Sequence, residues 1–468
     1  MIMQRPRGTR DFLPAESWKR RRAREAMQEI LGRWGYQEVS TPTFEHLELF
    51  TRKSGESVLE EIYSFQDKGG RDLALRPELT APVMRMYVSE LQNSPKPQRL
   101  FYFGNCFRYE RPQKGRFREF WQLGAELIGG ARPDSEAEVI ALAERTLQSV
   151  NVRGDIHVGY LGLVRSILEK IGGEHRSALM RMIDKKEREA LREYLEKIDA
   201  VHFGLQELID LKGKAALDKA LQIAGDLERK PVSSDSTKSV QDAGARIGTD
   251  TGTVAGAGAQ GDAAASSEGR SSARTGRAVS TELKMDEFCR TVDLLDAYGV
   301  NYTIDFEIVR GLEYYSGTVF EIYAEGLGAQ RQICGGGTYE LASLFGGKET
   351  SSTGFGLGFD RIMEIVQIDE ERKAPVFLAC TPDVKIEAAK VAMKLRESGL
   401  PAVLDVMGRS LGAQLKAAGT AGAEFVIIIG KDELDLGKLT LRDMSGGEQE
   451  SLSLAEIEKR LKEHFNCL

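Results

Sequence analysis

The tightest constraint on the fold of this chain is a pair of strand-like runs, Arg99–Tyr109 and Glu119–Ile128, joined by a segment too short for a crossover. Runs so connected pair as an antiparallel hairpin. Side chains alternate along a strand, so Arg108 and Glu110 share one face of the first run, and Gln122, Gly124 and Glu126 share one face of the second. The opposite face carries Trp121, Leu123, Ala125 and Leu127. A face bearing both signs of charge above a glycine is unlike a core face, and the connecting loop Arg111–Arg118 adds four cations. Arginine forks grip phosphate oxygens at two points, so the arrangement suits a polyphosphate beside an amine. Taken alone, the segment is equally a charged surface hairpin with its own ion pairs.

Periodicity orders the rest of the chain. Ser17–Trp34 reads as a helix capped by Ser17, Asp72–Leu75 as a strand and Pro77–Glu90 as a helix. Residues 134–230 carry helical spacing rich in Leu, Glu, Lys and Arg, as in a helical insertion. Residues 233–280 are Ser, Ala, Gly and Thr without an aromatic, too little to offset the entropy of ordering, and read as a disordered surface loop. The Gly256-x-Gly258-x-x-Gly261 spacing inside it follows no strand and opens no helix, so it carries no nucleotide site. A helix over 282–298 follows, then strands at Tyr302–Val309, Thr318–Tyr323, Gln332–Gly335 and Gly354–Phe359, the last running into a helix from Asp360. Beyond a charged stretch at Ile368–Ala374, strands at Val376–Cys380, Ala402–Val406 and Phe425–Ile429 alternate with helical segments. That alternation describes an α/β domain of roughly 95 residues.

At 468 residues and 41% hydrophobic, the chain predicts more than one folded unit. No apolar run is long enough to span a membrane, and Met1–Pro14 lacks the apolar centre of a signal peptide, so the cytoplasm is the expected location. The five cysteines form no CxxC pair, which leaves neither a disulfide framework nor a zinc ribbon and no expected metal site. A net charge of −7 argues against a wholly basic surface, although nucleic-acid binding needs only a local face. Five of the six residues Lys19–Arg24 are basic and read as a solvated helix face.

Four segments occur in one order: Leu75-Arg-Pro-Glu-Leu-Thr-Ala-Pro82, the hairpin, Arg310-Gly-Leu-Glu-Tyr-Tyr-Ser-Gly317, and Gly354-Phe-Gly-Leu-Gly-Phe-Asp-Arg361. Together they resemble the histidyl-tRNA synthetase family, from Arg7-Gly-Thr-Arg-Asp-Phe-Leu-Pro14 through the C-terminal domain, with only 233–280 outside the likeness. Arg310–Tyr315 looks like that family's own signature. Phe107–Glu110 and Gly356–Arg361 look like class II motifs two and three, and Pro42 stands where motif one has its proline. Leu79 stands in place of a common Gly, as in archaeal-type members. Trp121 replaces a common His, and Gly337-Thr338 a common Gly-Arg before Tyr339.

The resemblance implies an α+β fold: an antiparallel catalytic sheet with flanking helices and a helical insertion, a C-terminal α/β anticodon-binding domain, and a homodimer. The core would span 1–150 and 282–367, the insertion 151–281 and the anticodon-binding domain 375–468. The implied reaction activates L-histidine with ATP and Mg²⁺ and loads it onto tRNA(His). By position, Arg108 would hold the α-phosphate and Arg361 the γ-phosphate, with Glu110 and Arg116 near the nucleotide. Arg361 would begin a helix whose amides favour anions. Glu78, Thr80 and Gln122 would receive the α-ammonium, whereas Glu126, Tyr315 and Tyr339 would face the imidazole. Arg310 would lie across the reacting carboxylate and α-phosphate, making it with Arg108 the catalytic pair, and Gln113 would meet the tRNA acceptor end. Two alternatives stay open: a noncatalytic regulatory paralogue serving histidine biosynthesis, and a class II enzyme for another amino acid.

Overall fold

The computed structural model describes residues 3–54, 59–110, 116–229, 285–309, 314–328, 331–368 and 373–465. Gln113, residues 310–313 and the tract 233–280 lie outside them. The chain forms two compact units, Met1–Phe12 with Arg20–Gln367, and Leu13–Lys19 with Ile368–Leu468.

In the first unit the strands are β1 (Gln37–Glu38), β2 (Phe44–His46), β3 (Ser64–Gln66), β4 (Asp72–Leu75), β5 (Gln98–Phe107), β6 (Glu119–Ile128), β7 (Asp155–Tyr160), β8 (Tyr302–Ile304), β9 (Tyr315–Tyr323), β10 (Gln332–Tyr339) and β11 (Ser352–Gly358). Among the described residues they build an eight-stranded sheet in the order β1-β5-β6-β11-β10-β9-β7-β8 and a small sheet β2-β4-β3. The centre, β5 through β7, is antiparallel as the hairpin reading requires. Both edges depart from it, since β1 lies parallel to β5 and β8 parallel to β7. Parallel neighbours need a long connection, and both of these pairs have one, from Glu38 to Gln98 and from Tyr160 to Tyr302.

The helices of this unit are α1 (Pro14–Arg33) from Arg20 onward, α2 (Leu47–Ser54), α3 (Thr80–Met86), α4 (Asp134–Gln148), α5 (Leu161–Ile171) through α9 (Gly213–Arg229), α10 (Met285–Tyr298) and α11 (Phe359–Met363). Helix α1 starts at Pro14 rather than Ser17, because proline's missing N–H costs nothing in a first turn. Strand β7 lies within the span 151–281 that the sequence boundaries give to the insertion, yet it belongs to the large sheet, so the helical excursion begins at Leu161. Its six residues are flanked by strong helical periodicity that hides them. One face of the sheet is apolar: Leu123, Ala125, Leu127, Phe355 and Leu357 are buried there. At roughly 1.5–3 kcal/mol for each large side chain taken from water, this face anchors the sheet and leaves the other free for chemistry.

The second unit holds β12 (Val376–Cys380), β13 (Ala402–Leu404), β14 (Phe425–Ile429), β15 (Leu439–Asp443) and β16 (Gln449–Leu452) in the order β13-β12-β14-β15-β16. Helices α12 (Lys385–Glu397), α13 (Leu411–Thr420), α14 (Lys431–Asp435) and α15 (Leu454–Phe465) accompany it. Leu378, Ile427, Ile429, Leu395, Ile457 and Leu461 form its core. The three strands read from sequence are the parallel ones. The added β15–β16 hairpin is polar along its outer strand and gives no apolar run to read.

Candidate active site

A cavity of about 860 Å³ opens on the polar face of the large sheet, within the range of small-ligand sites. Register decides what it contains. Gln122, Gly124 and Glu126 on β6 stand opposite Gly358, Gly356 and Gly354 on β11, and opposite Gly104, Tyr102 and Leu100 on β5. Gly354 in turn faces Gly337 on β10, and Tyr339 faces Tyr315 on β9. The glycines keep the floor low: a Cβ on Gly356 would meet nothing within 4 Å, which leaves room for a flat ligand.

Glu126 is 1% exposed at one end of the cavity. Tyr102 donates its hydroxyl to Glu126 Oε1 at 3.1 Å, and Tyr339 donates to Oε2 at 2.5 Å. Burial pushes the Glu126 carboxyl up to about 7, the phenol hydrogen bonds oppose that rise, and nearby Glu78 adds to it. Tyr102, Tyr315 and Tyr339 are held well above the usual phenol range, first by burial and then by neighbouring charge or phenol. They remain hydrogen-bond donors through the neutral range. Tyr315 lies in the same cluster, its ring centre 6.2 Å from that of Tyr339.

Glu78 precedes α3 and accepts the amide N–H of Thr80 at 2.7 Å and of Ala81 at 3.1 Å, fixing its carboxylate at the helix N-terminus. The Thr80 hydroxyl lies 3.3 Å from that of Tyr102. Gln122 accepts the Cys106 thiol at 3.3 Å, and burial pushes that thiol up to about 12, far from nucleophilic range.

Strand β5 ends at Phe107, so Arg108 and Glu110 do not share a strand face as the alternation predicts. Arg108 N–H still bonds Arg118 O, but Tyr109 N–H turns to Glu61 O and Glu110 N–H folds back onto Arg108 O. This turn, rather than the pleat, brings both side chains to the cavity. Arg108 donates to Pro77 O at 3.0 Å and lies 5.1 Å from the centre of the Phe120 ring, while Arg116 pairs with Glu110 at 3.3 Å. Arg361 does not begin a helix: α11 runs from Phe359 to Met363, and Arg361 sits mid-helix, donating to Gln332 O at 2.5 Å. Its contribution here is therefore its own guanidinium.

The residue before it, Asp360, is 3% exposed and accepts from Arg10, from Arg20 at 2.8 Å and from the Trp121 amide at 2.6 Å. Arg20 thus turns inward from the basic run of α1, whereas Arg22 pairs with Glu25 and Arg24 with Glu38. Asp360→Asn leaves two shielded guanidinium groups short of their counter-charge. It is expected to cost about 3–5 kcal/mol in chemical unfolding.

The cavity therefore gathers Glu78, Thr80, Gln122, Glu126, Tyr315 and Tyr339 with Arg108, Glu110, Arg116 and Arg361. Residues 310 and 113 lie outside the described residues. Sequence reasoning missed Tyr102, Tyr314 and Lys53. Tyr102 was within reach, because the hairpin register puts it across from Gly124, but Lys53 comes from a distant helix with no local signal. Among the described residues no helix is long and apolar enough to cross a membrane, and no group of three His, Cys, Asp or Glu could hold a metal.

Comparison with known proteins bears directly on this geometry. A family model described as histidyl-tRNA synthetase matches residues 8–256 and 230–362, and one described as an anticodon binding domain matches 374–464. A histidine–tRNA ligase of Methanosarcina acetivorans is 48% identical over 464 residues, covering 98% of this chain and 99% of that protein. The solved apo histidyl-tRNA synthetase of S. aureus superposes with a TM-score of 0.65 at 25% identity, covering 98% of this chain and all of the other. A Bacillus halodurans structure described as an ATP phosphoribosyltransferase regulatory subunit/histidyl-tRNA synthetase gives 0.70 at 25% identity, over 92% of this chain and 99% of that one. With the family model spanning most of its length and near-half identity to a relative along nearly all of it, the chain belongs to the histidyl-tRNA synthetase family.

Proposed function

We infer that this chain is a histidine–tRNA ligase that activates L-histidine with ATP and transfers the histidyl group to the 3′ end of tRNA(His), releasing AMP and diphosphate. The observation that carries the reading is the polarity of one cavity, with a phenol-held buried carboxylate at Glu126 and the arginines Arg108, Arg116 and Arg361 lining the same space. An imidazole has two ring nitrogens to satisfy, and a carboxylate ringed by phenols supplies an acceptor and donors together. Glu126, Tyr315 and Tyr339 face the imidazole, and Glu78, Thr80 and Gln122 take the α-ammonium.

Arg108 holds the α-phosphate and Arg361 the γ-phosphate, with Glu110 and Arg116 ordering the nucleotide. A carboxylate oxygen of histidine attacks the α-phosphorus in line as the bond to pyrophosphate breaks, so positioning and charge stabilisation do the catalysis and no side-chain nucleophile is needed. Mg²⁺, when bound, neutralises phosphate charge. Glu110 and Glu321, which line the cavity, would help hold it beside the phosphate oxygens of the nucleotide. Arg310 bridges the reacting carboxylate and α-phosphate, and Gln113 meets the tRNA acceptor end. Both roles are supported by resemblance alone. Residues 1–150 and 282–367, with β7, serve as the catalytic core, the helical insertion lies between them, and 375–468 binds the anticodon in a cytoplasmic homodimer.

ATP–pyrophosphate exchange with each amino acid supplied separately tests the reading. Exchange with histidine alone supports it, and histidine binding without exchange would favour the regulatory paralogue, whose fold this chain shares. Arg310→Ala is expected to keep histidine binding but lower kcat for exchange by about 10²–10³-fold, because it removes charge stabilisation needed in the transition state. Near-normal exchange in that variant removes the assignment.

A further inference from the structure

One charged side chain at the amino-acid end of the cavity has no part in the reaction as described. Lys53 stands on the last turn of α2, its side chain 8% exposed, with its ammonium 3.3 Å from Glu78 Oε1 and 4.7 Å from the centre of the Tyr314 ring. Burial alone would favour the neutral amine, yet Glu78, joined by Tyr314 and Glu126, offsets it and the ammonium is held above its ordinary range. The same carboxylate is clamped from the other side by the Thr80 and Ala81 amides.

A second carboxylate, Glu126, shares this end of the cavity, and the two repel through a poorly screened medium. Among the described residues, the other groups near them are the Thr80 hydroxyl and the phenols of Tyr102, Tyr314, Tyr315 and Tyr339, which supply no positive charge, and the Arg108 guanidinium, which is held on Pro77 O. Without a cation beside it, the Glu78 carboxylate would be pushed from the second carboxylate and lose one of the contacts that aim it.

We propose that Lys53 is a positioning residue for amino-acid recognition, supplying from α2 the counter-charge that holds the Glu78 carboxylate aimed as an acceptor for the substrate's α-ammonium. This rests on the histidine reading of the cavity. The test uses full-length Lys53→Met and Lys53→Arg in histidine-dependent exchange, with equilibrium binding of histidine and of imidazolepropionate, which lacks the α-amine. Lys53→Met is expected to weaken histidine binding and raise its KM roughly tenfold or more, the scale of one charged hydrogen bond. The KM for ATP and the binding of imidazolepropionate stay near wild type, and Lys53→Arg recovers most of the loss. An unchanged histidine KM overturns the proposal, as does equal loss of both ligands, which marks a collapsed wall rather than a missing charge. If the wild-type chain binds histidine without exchange, the ligase reading fails while the binding arm still decides the role of Lys53. Absence of histidine binding overturns both.

Discussion

Glu126→Ala is expected to lower kcat/KM for histidine in pyrophosphate exchange by about 10⁴-fold, the scale at which a site built to satisfy polar groups rejects a ligand that no longer pairs with it. The substitution removes the acceptor for two buried phenols, Tyr102 and Tyr339, and leaves their hydroxyls unpaired in the cavity. The KM for ATP serves as the control, since the arginine contacts are untouched. In the unmodified protein, histidine KM is expected to rise below about pH 7, where both Glu126 and free histidine become protonated and one acceptor is lost. Stability responds in the opposite sense. The folded carboxyl titrates near 7 against an ordinary 4.5, so the native state keeps a proton that the unfolded chain releases. That contribution is present below about 4.5 and is lost as pH rises through 7. Glu126→Gln, which never ionises, is expected to flatten this part of the stability–pH curve by up to a few kcal/mol. A curve unchanged between wild type and Glu126→Gln would show that the carboxyl is ordinary.

Gly354→Ala is expected to reduce histidine activation as severely as Glu126→Ala, without touching a polar group. A Cβ built there lies 1.6 Å from Glu126 Oε2 and 2.7 Å from the Ala125 carbonyl oxygen, so the carboxylate is driven off its phenols and the β6–β11 ladder is pried apart. Overpacking of a fitted interior typically costs about 1–3 kcal/mol, so loss of activity should outrun loss of stability. Chemical unfolding alongside exchange separates the two. The neighbouring Gly356→Ala supplies the contrast, because its Cβ meets nothing within 4 Å and the sheet tolerates it. Its effect falls instead on whatever ligand rests on that floor.

Much of this site was legible beforehand because strand alternation is local. A residue two positions along a strand shares its face whatever the rest of the chain does, so Gln122, Gly124 and Glu126 group together from sequence alone. The same rule failed at Arg108 and Glu110, where the pleat stops at Phe107 and backbone bonding to Glu61 and Arg118 takes over. The glycine run in β10 read as the end of a strand after Gly335. It continues to Tyr339, because there glycine serves close packing: a Cβ on Gly336 would meet Gly354 O at 2.4 Å.

The sequence by itself determined the antiparallel hairpin, the faces of its second strand, the order of the functional segments and, through them, the family. Tertiary structure decided what depends on distant residues meeting. Tyr339 reaches Glu126 across 213 positions, Lys53 pairs with Glu78 from another helix, and Arg20 turns inward to Asp360 across 340. It also decided that Glu126 is a carboxyl titrating near 7, because burial and neighbouring charge are properties of the assembled fold. Periodicity reports which side of a strand a residue occupies, whereas register between strands and the packing of helices determine what waits on that side.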